Sequence, residues 1–239
     1  MKRRLPRPFE AARVYVSSEG GLRYLRPSMS SIDPLLLRLA AEIVRPNDVV
    51  WDIGANVGLF SFSAALAAGR GGHVLALEPD AVLVEMLRRS ATLNQGFAPV
   101  LVLPVAAANA HGISQFLIAR RNRSTSHLEG FGTSQTGGVR SVQLVPTVTL
   151  DWLTNHFPMP TVVKIDVEAA ELKVLEGGLR VLRSRPLILC EVAGNNGHPV
   201  AEILTANGYT LYDARQPPSL RTPVHVAPPD TLAVANGRS

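Results

Sequence analysis

Asp52, Glu78, Asp166, Glu168 and Glu191 each end or closely follow a short apolar run, and that placement makes them candidates for chemistry. A carboxylate at the end of a buried strand needs a partner, and ligands of open α/β sheets bind at that carboxyl end. Glu78 lies about twenty residues beyond Gly58, the separation at which an acid grips the two hydroxyls of a ribose. Ahead of it, Gly54-Ala55-Asn56-Val57-Gly58 reads as a tight turn whose backbone N–H groups point at a ligand. Asp52 adds a fixed negative charge there. Asp166 and Glu168 alternate with Ile165 and Val167, so with Lys164 they share one face if the chain stays extended. The expected chemistry is a nucleoside-containing ligand held above the first two strands, with carboxylates placed to orient a second reactant or take its proton.

Each of these residues also has a structural reading. Asp166 can be a helix-capping acid paired with Lys164, which lies deeper and reads as structural, while Asp80 and Asn94 read as helix caps. Glu191, beside Gly194-Asn195-Asn196-Gly197-His198, and His127, beside Ser124-Thr125-Ser126, are reserve candidates for contact with a second substrate. Cys190 sits in an apolar strand and reads as a packed residue. No histidine–carboxylate pair has metal-ligand spacing, so no metal is expected.

The elements that must position these groups follow from the pattern. Val49–Trp51 is apolar enough for a central parallel strand, and Leu59–Ala68 continues from the turn as a helix. His73–Glu78, Val100–Val105, Val162–Val167 and Pro186–Val192 are further strands. Helices are expected over 81–94, 170–183 and 199–207, and Tyr209–Tyr212 and Thr231–Val234 are the last two strands. Such β-α repeats predict a mostly parallel seven-stranded sheet with helices on both faces. Residues 1–45 read as an N-terminal extension packing on the main domain, 46–239. It comprises a flexible tail over 1–8, a hairpin of Arg13–Val16 with Leu22–Leu25, and a helix opened by Asp33-Pro34. Residues 120–138 are glycine- and serine-rich, too long for a structureless connection, and are expected to be a mobile lid over the substrate.

The spacing Asp52-x-Gly54-x-Asn56-x-Gly58 is similar to motif I of class I methyltransferases, with asparagine at the central position where a dinucleotide fingerprint needs glycine. A pyrophosphate fits poorly there. Leu77-Glu78-Pro79-Asp80 resembles the ribose-binding end of strand two. Lys164-Ile165-Asp166-Val167-Glu168-Ala169-Ala170-Glu171, Val148-Thr149-Leu150-Asp151-Trp152-Leu153 and Ile188-Leu189-Cys190-Glu191-Val192 complete a resemblance to the FkbM-type methyltransferase family. It covers roughly residues 33 to 213. The resemblance implies a Rossmann-like class I methyltransferase fold and S-adenosylmethionine as cofactor, contacted by Asp52, Gly54, Ala55, Asn56, Gly58, Glu78, Pro79, Ala107 and Asp166. It also implies a hydroxyl of a secondary metabolite or sugar as methyl acceptor. Asp166, Glu168, Glu191 and His127 are then the candidate catalytic groups. The departures are Ala169 where glycine is usual, expected to narrow the pocket, and Gly178 where alanine is usual.

The 239 residues suit one α/β domain, and 46% hydrophobic content suits a globular one. No apolar run reaches the ~18 residues of a membrane span, and prolines 6 and 8 interrupt any signal-peptide core, so a cytoplasmic protein is expected. Net charge is +5, but the arginines lack aromatic interleaving and nucleic acid is not the expected partner. The rival readings are an NAD(P)-dependent oxidoreductase, disfavoured by Asn56 and the absence of a Tyr-x-x-x-Lys pair, and a cofactor-binding subunit without catalysis. Oligomeric state is not legible.

Overall fold

A computed structural model of the chain describes residues 1–20, 22–25, 29, 32–120, 123–131 and 138–237. In chain order the main elements are β1 (Lys2–Arg4), β2 (Arg13–Tyr15), α1 (Pro34–Ile43), β3 (Val49–Ile53), α2 (Leu59–Ala68), β4 (His73–Leu77), α3 (Ala81–Ala91) and β5 (Val100–Leu103). There follow β6 (Ala106–Ala107), β7 (Gly112–Ala119), β8 (His127–Leu128), β9 (Val139–Val148), α4 (Leu150–Leu153), β10 (Val162–Ile165), α5 (Glu171–Glu176) and α6 (Leu179–Arg183). The chain closes with β11 (Leu187–Glu191), α7 (Gly197–Ala206), β12 (Tyr209–Asp213) and β13 (Asp230–Ala235).

Seven strands form the expected sheet, in the order β12-β13-β11-β10-β3-β4-β5. Only β13 runs against the others, pairing antiparallel with both β11 and β12. From β3 the chain winds outward through β4 and β5, then crosses back to β10 on its other side, so the direction of winding reverses between β3 and β10. A crevice opens outside the carboxyl ends of the strands at such a reversal.

The two faces carry separate cores because side chains alternate along each strand. Val50, Val74, Val102, Val162 and Leu189 pack on one face with α1, α2 and α3. Trp51, Ile53, Leu75, Val163, Ile165 and Ile188 pack on the other with α4 to α7. A second sheet of order β6-β9-β7-β8 is built by a long antiparallel hairpin, β7 with β9, beyond the end of β5.

Two expectations are corrected. The N-terminal hairpin pairs β2 with β1, so Lys2–Arg4, expected in a tail, is a strand, and Leu22–Leu25 is a single 3-10 turn. Length explains the difference: three residues either side of a proline turn close a hairpin without the glycines at 20 and 21. The helix expected over 170–183 is broken into α5 and α6, because Gly177 packs where a Cβ would lie 2.2 Å from the Ala108 carbonyl oxygen. Asn94 caps the end of α3 as read, donating to Ser90 O at 2.7 Å, and it also accepts from Arg13 N–H at 2.9 Å and donates to Arg13 O at 2.7 Å, docking β2 there. Within 120–138 the described residues form a 3-10 turn, Arg123–Thr125, and the short β8, while the rest of the expected lid, 121–122 and 132–137, lies outside the described residues.

Gly54 is the tightest point of the fold. Its φ is +79°, and a Cβ there would sit 1.8 Å from the Asp166 carbonyl oxygen. Gly54→Ala should therefore cost roughly 3 kcal/mol or more, combining backbone strain with overpacking. Gly208 has a similar φ of +82° and nothing within 4 Å of an added Cβ. Gly208→Ala should lose only about 1 kcal/mol, the strain alone. Urea melts of both variants make the comparison, and equal losses would mean that the Gly54–Asp166 approach is not limiting.

Candidate functional site

The end of β3 turns sharply because Gly54, Asn56 and Gly58 all adopt positive φ, at 79°, 54° and 88°. Asparagine tolerates that region better than most side chains, and its Oδ1 accepts the Val57 N–H at 2.7 Å. The turn differs from the expectation of ligand-facing amides. Gly54 and Ala55 both donate to Leu77 O, Asn56 donates to Glu78 Oε2, and Gly58 donates to Ala55 O. With Val57 bound to the Asn56 side chain, every N–H from 54 to 58 is already used. The backbone of the turn therefore offers no free N–H to a phosphate.

Glu78 is only 4% exposed. Its Oε1 accepts from Asp80 N–H at 2.9 Å and its Oε2 from Asn56 N–H at 2.8 Å. Each oxygen retains a lone pair, which is the geometry for two hydroxyl donors. Burial pushes this carboxyl up to about 7, against the two N–H bonds that favour its charge.

Under the turn lies a buried ion group. Lys164 Nζ donates to Gly54 O at 2.7 Å and stands 3.2 Å from both Asp52 Oδ1 and Asp166 Oδ2. Burial alone would lower the lysine, but Asp166 and Asp52 outweigh it and hold its pKa above the usual value. Asp52 is fully buried and also accepts from Ser61 Oγ.

After Asp166 the chain leaves the extended form. Glu168 and Ala169 take φ of 51° and 74°, costing about 1–2 kcal/mol each. Glu171 Oε1 accepts the Ala169 N–H at 2.7 Å, and Asn196 Nδ2 donates to both Ala169 O and Glu171 Oε2. Three polar contacts over-determine the corner, and Glu168 lines the opening. Burial first, then the charges of Asp166 and Glu171, raise Glu168 to about 7. Glu191 is raised to about 8, chiefly by Asp166 and then by its recess.

A single open cavity of about 200 Å³ joins these groups. It runs from Ala55, Asn56, Glu78, Pro79 and Ala107 to Lys164, Asp166, Glu168 and Glu191. Gly54 also lines it. Several expected residues are elsewhere. Asp52 is sealed beneath the turn by its bonds to Lys164 and Ser61. Gly58 packs against α2 and α3, where a Cβ would meet Phe62 at 2.5 Å and Leu87 at 2.8 Å. His127 is buried with Nδ1 on Thr125 O at 3.1 Å, and it is Ser126 and Leu128 on either side that line the cavity, as strand alternation requires. Ala169 does not line the cavity, so its methyl strains the backbone and does not narrow the pocket.

Sequence reasoning missed Arg123, Tyr24 and Asp33, all cavity-lining. Arg123 reaches across to Asp80, the N-cap of α3, and to Glu19 at 3.2 Å, drawing the 123–131 segment over the Glu78 end of the cavity. No local pattern marks an arginine for that reach. Among the described residues no group of histidine, cysteine and carboxylates could hold a metal, and no helix is long and apolar enough to cross a membrane.

Residues 52–211 match the family described as methyltransferase FkbM domain. Over 200 residues the chain is 29% identical to the hexuronic acid methyltransferase AglP of Haloferax volcanii, covering 82% of this chain and 76% of that one. A solved methyltransferase FkbM from Methylobacillus flagellatus superposes with a TM-score of 0.48 at 16% identity, over 91% of this chain and 58% of its own. A SAM-dependent O-methyltransferase from Thermotoga maritima also gives 0.48, at 14% identity over 95% and 74%. Superposition at that level carries nothing about the site.

The raised Glu78 has a consequence for stability. The folded state keeps its proton up to about 7, whereas an ordinary glutamate loses it near 4.5. Stability is therefore full below about 4.5 and falls as pH rises through that window, by up to about 3 kcal/mol. Glu168 and Glu191 act in the same direction. Glu78→Gln should flatten the slope between about pH 5 and pH 8 in denaturant titrations. An unchanged slope would assign the proton to other groups.

Proposed function

The chain belongs to the FkbM methyltransferase family, and from that premise we propose that it is an S-adenosylmethionine-dependent enzyme that methylates a hydroxyl of a small molecule, most simply a sugar. The carrying observation is a cavity that offers paired acceptors and negative charge but has no free N–H at its glycine turn. A ligand suited to it brings hydroxyl donors and positive charge and has no phosphate. S-adenosylmethionine has a ribose diol, an adenine and a sulfonium, and when bound it supplies an activated methyl group. A dinucleotide would find no free backbone N–H between Gly54 and Gly58, where its pyrophosphate would have to sit.

In this reading Glu78 accepts the two ribose hydroxyls, with Pro79, Ala55 and Asn56 shaping the wall around them and Ala107 beside the adenine edge. Asp52 and Gly58 serve the site from beneath, one holding Lys164 and the other closing the turn. Lys164 fixes Asp166 at the carboxyl end of β10, so that Asp166 orients cofactor or acceptor. Alignment of an acceptor oxygen with the methyl accounts for much of the rate, since such positioning is worth ~7–11 kcal/mol. Glu168, raised to about 7, is the carboxylate whose affinity for a proton best matches neutral pH. Glu191 is the second choice and His127, facing away, is not in reach. The relative that acts on hexuronic acid supports a saccharide acceptor.

Two variant sets test the reading. Glu78→Ala should weaken S-adenosylhomocysteine binding by about 2–4 kcal/mol in calorimetry on the folded protein. Unchanged affinity would put the nucleoside elsewhere. Asp166→Asn and Glu168→Gln should each lower methyl transfer from labelled S-adenosylmethionine to a saccharide panel at least tenfold, with S-adenosylhomocysteine binding within a few-fold. Normal turnover in both would move the proton acceptor to Glu191 or to water.

A further inference from the structure

Beyond Asp166 and Glu191 the cavity continues into a second, open recess bounded by α1 and the ends of β10 and β11. The two chambers share Asp33, Leu36, Lys164, Asp166 and Glu191 as a common wall. The lining of the second divides by chemistry. Leu35, Leu36, Leu39 and Leu189 form an aliphatic side, and Asp33, Asp166, Glu191 and Asp230 form an acidic one.

The acids are not balanced. Among the described residues lining this chamber the cation is Lys164, and it is shared between Asp52 and Asp166. Glu191 and Asp230 stand opposite each other across the β11–β13 pair, where like charges repel. Arg215 attracts Asp230 from a distance, but its guanidinium is bound to Asp213 at 2.9 Å. Among the described residues Asp33 accepts a backbone bond, from Leu36 N–H, and meets no cation. Glu168 adds a further carboxylate at the shared mouth. A recess with leucines on one side and uncompensated carboxylates on the other is complementary to an alicyclic or aliphatic body bearing a protonated amine.

We propose that the second chamber is the acceptor subsite and that the methyl acceptor is a hydroxyl compound carrying a protonated amine, such as an aminated sugar or a cyclic amino alcohol. This rests on the reading of the first chamber as the S-adenosylmethionine site. It separates this chain from an enzyme for hexuronic acids, whose carboxylate the rim would repel. The nitrogen's positive charge seats between Glu191 and Asp230, and the leucines cover the carbon skeleton. The hydroxyl then points back through the shared wall toward Asp166 and Glu168.

The test uses three cyclohexane rings of matched size: trans-2-aminocyclohexanol, cyclohexanol and trans-2-hydroxycyclohexanecarboxylate. Each is titrated by calorimetry and ligand-observed NMR into protein saturated with S-adenosylhomocysteine, so that the cofactor's own ammonium has already taken its partner. Working above pH of about 8 keeps Glu191 ionised. The amine should bind at least tenfold more tightly than the neutral ring and more tightly still than the carboxylate. Added salt should weaken it, and Asp230→Asn should remove most of the preference. A carboxylate or neutral ring that binds as well as the amine overturns the proposal, as does a preference unchanged in Asp230→Asn or no binding of any ring at tens of millimolar. Failure of S-adenosylhomocysteine to bind would instead remove the cofactor reading on which this one stands.

Discussion

Everything at the head of this sheet depends on one buried ammonium. Lys164 Nζ joins the first carbonyl of the turn after β3 to carboxylates in β3 and just after β10, and it is 5% exposed. A lone buried cation would be driven to neutrality, yet two flanking carboxylates keep this one charged. The three groups come from the two strands at which the winding reverses, so the ion group stitches the switch point where a crevice must open. Removing either acid would leave charge uncompensated in the core, a change that costs more than the pair itself contributes.

The group also transmits position. Because Lys164 holds Asp166, the carbonyl of Asp166 can lie against Gly54, and only a residue without a side chain fits there. The glycine is thus needed by the opposite strand whether or not a ligand is bound. The same tightness uses up the amides of the turn, which leaves the cavity rich in acceptors and poor in donors. The left-handed corner at Glu168 and Ala169 stores strain beside it, held by Glu171 and Asn196, and this sets where the free carboxylate faces.

The remaining wall is supplied by segments remote in sequence. Asn94 docks the β1–β2 hairpin on α3, and Glu19 from that N-terminal region meets Arg123 and Arg140 from the β7–β9 side. Arg123 bridges on to Asp80, whose N–H in turn donates to Glu78. The covering segments are therefore tied to the same corner that presents the ribose-sized pair of acceptors.

Strand identity, the parallel order and the acids Glu78, Asp166, Glu168 and Glu191 at strand ends were legible in the sequence, because alternation and runs of apolar residues report burial locally. The glycine turn was legible as a turn. What faces it was not. Whether an amide is free, whether Asp52 reaches a cavity, or which way His127 points depends on partners dozens of residues away, such as Leu77, Lys164 and the β7–β8 register. The N-terminal pairing failed for a related reason: a three-residue strand carries too little pattern to choose its neighbour. Local chemistry determines which residues are able to act, while long-range contacts, which consume some donors and leave others unpaired, decide which of them remain available to a ligand.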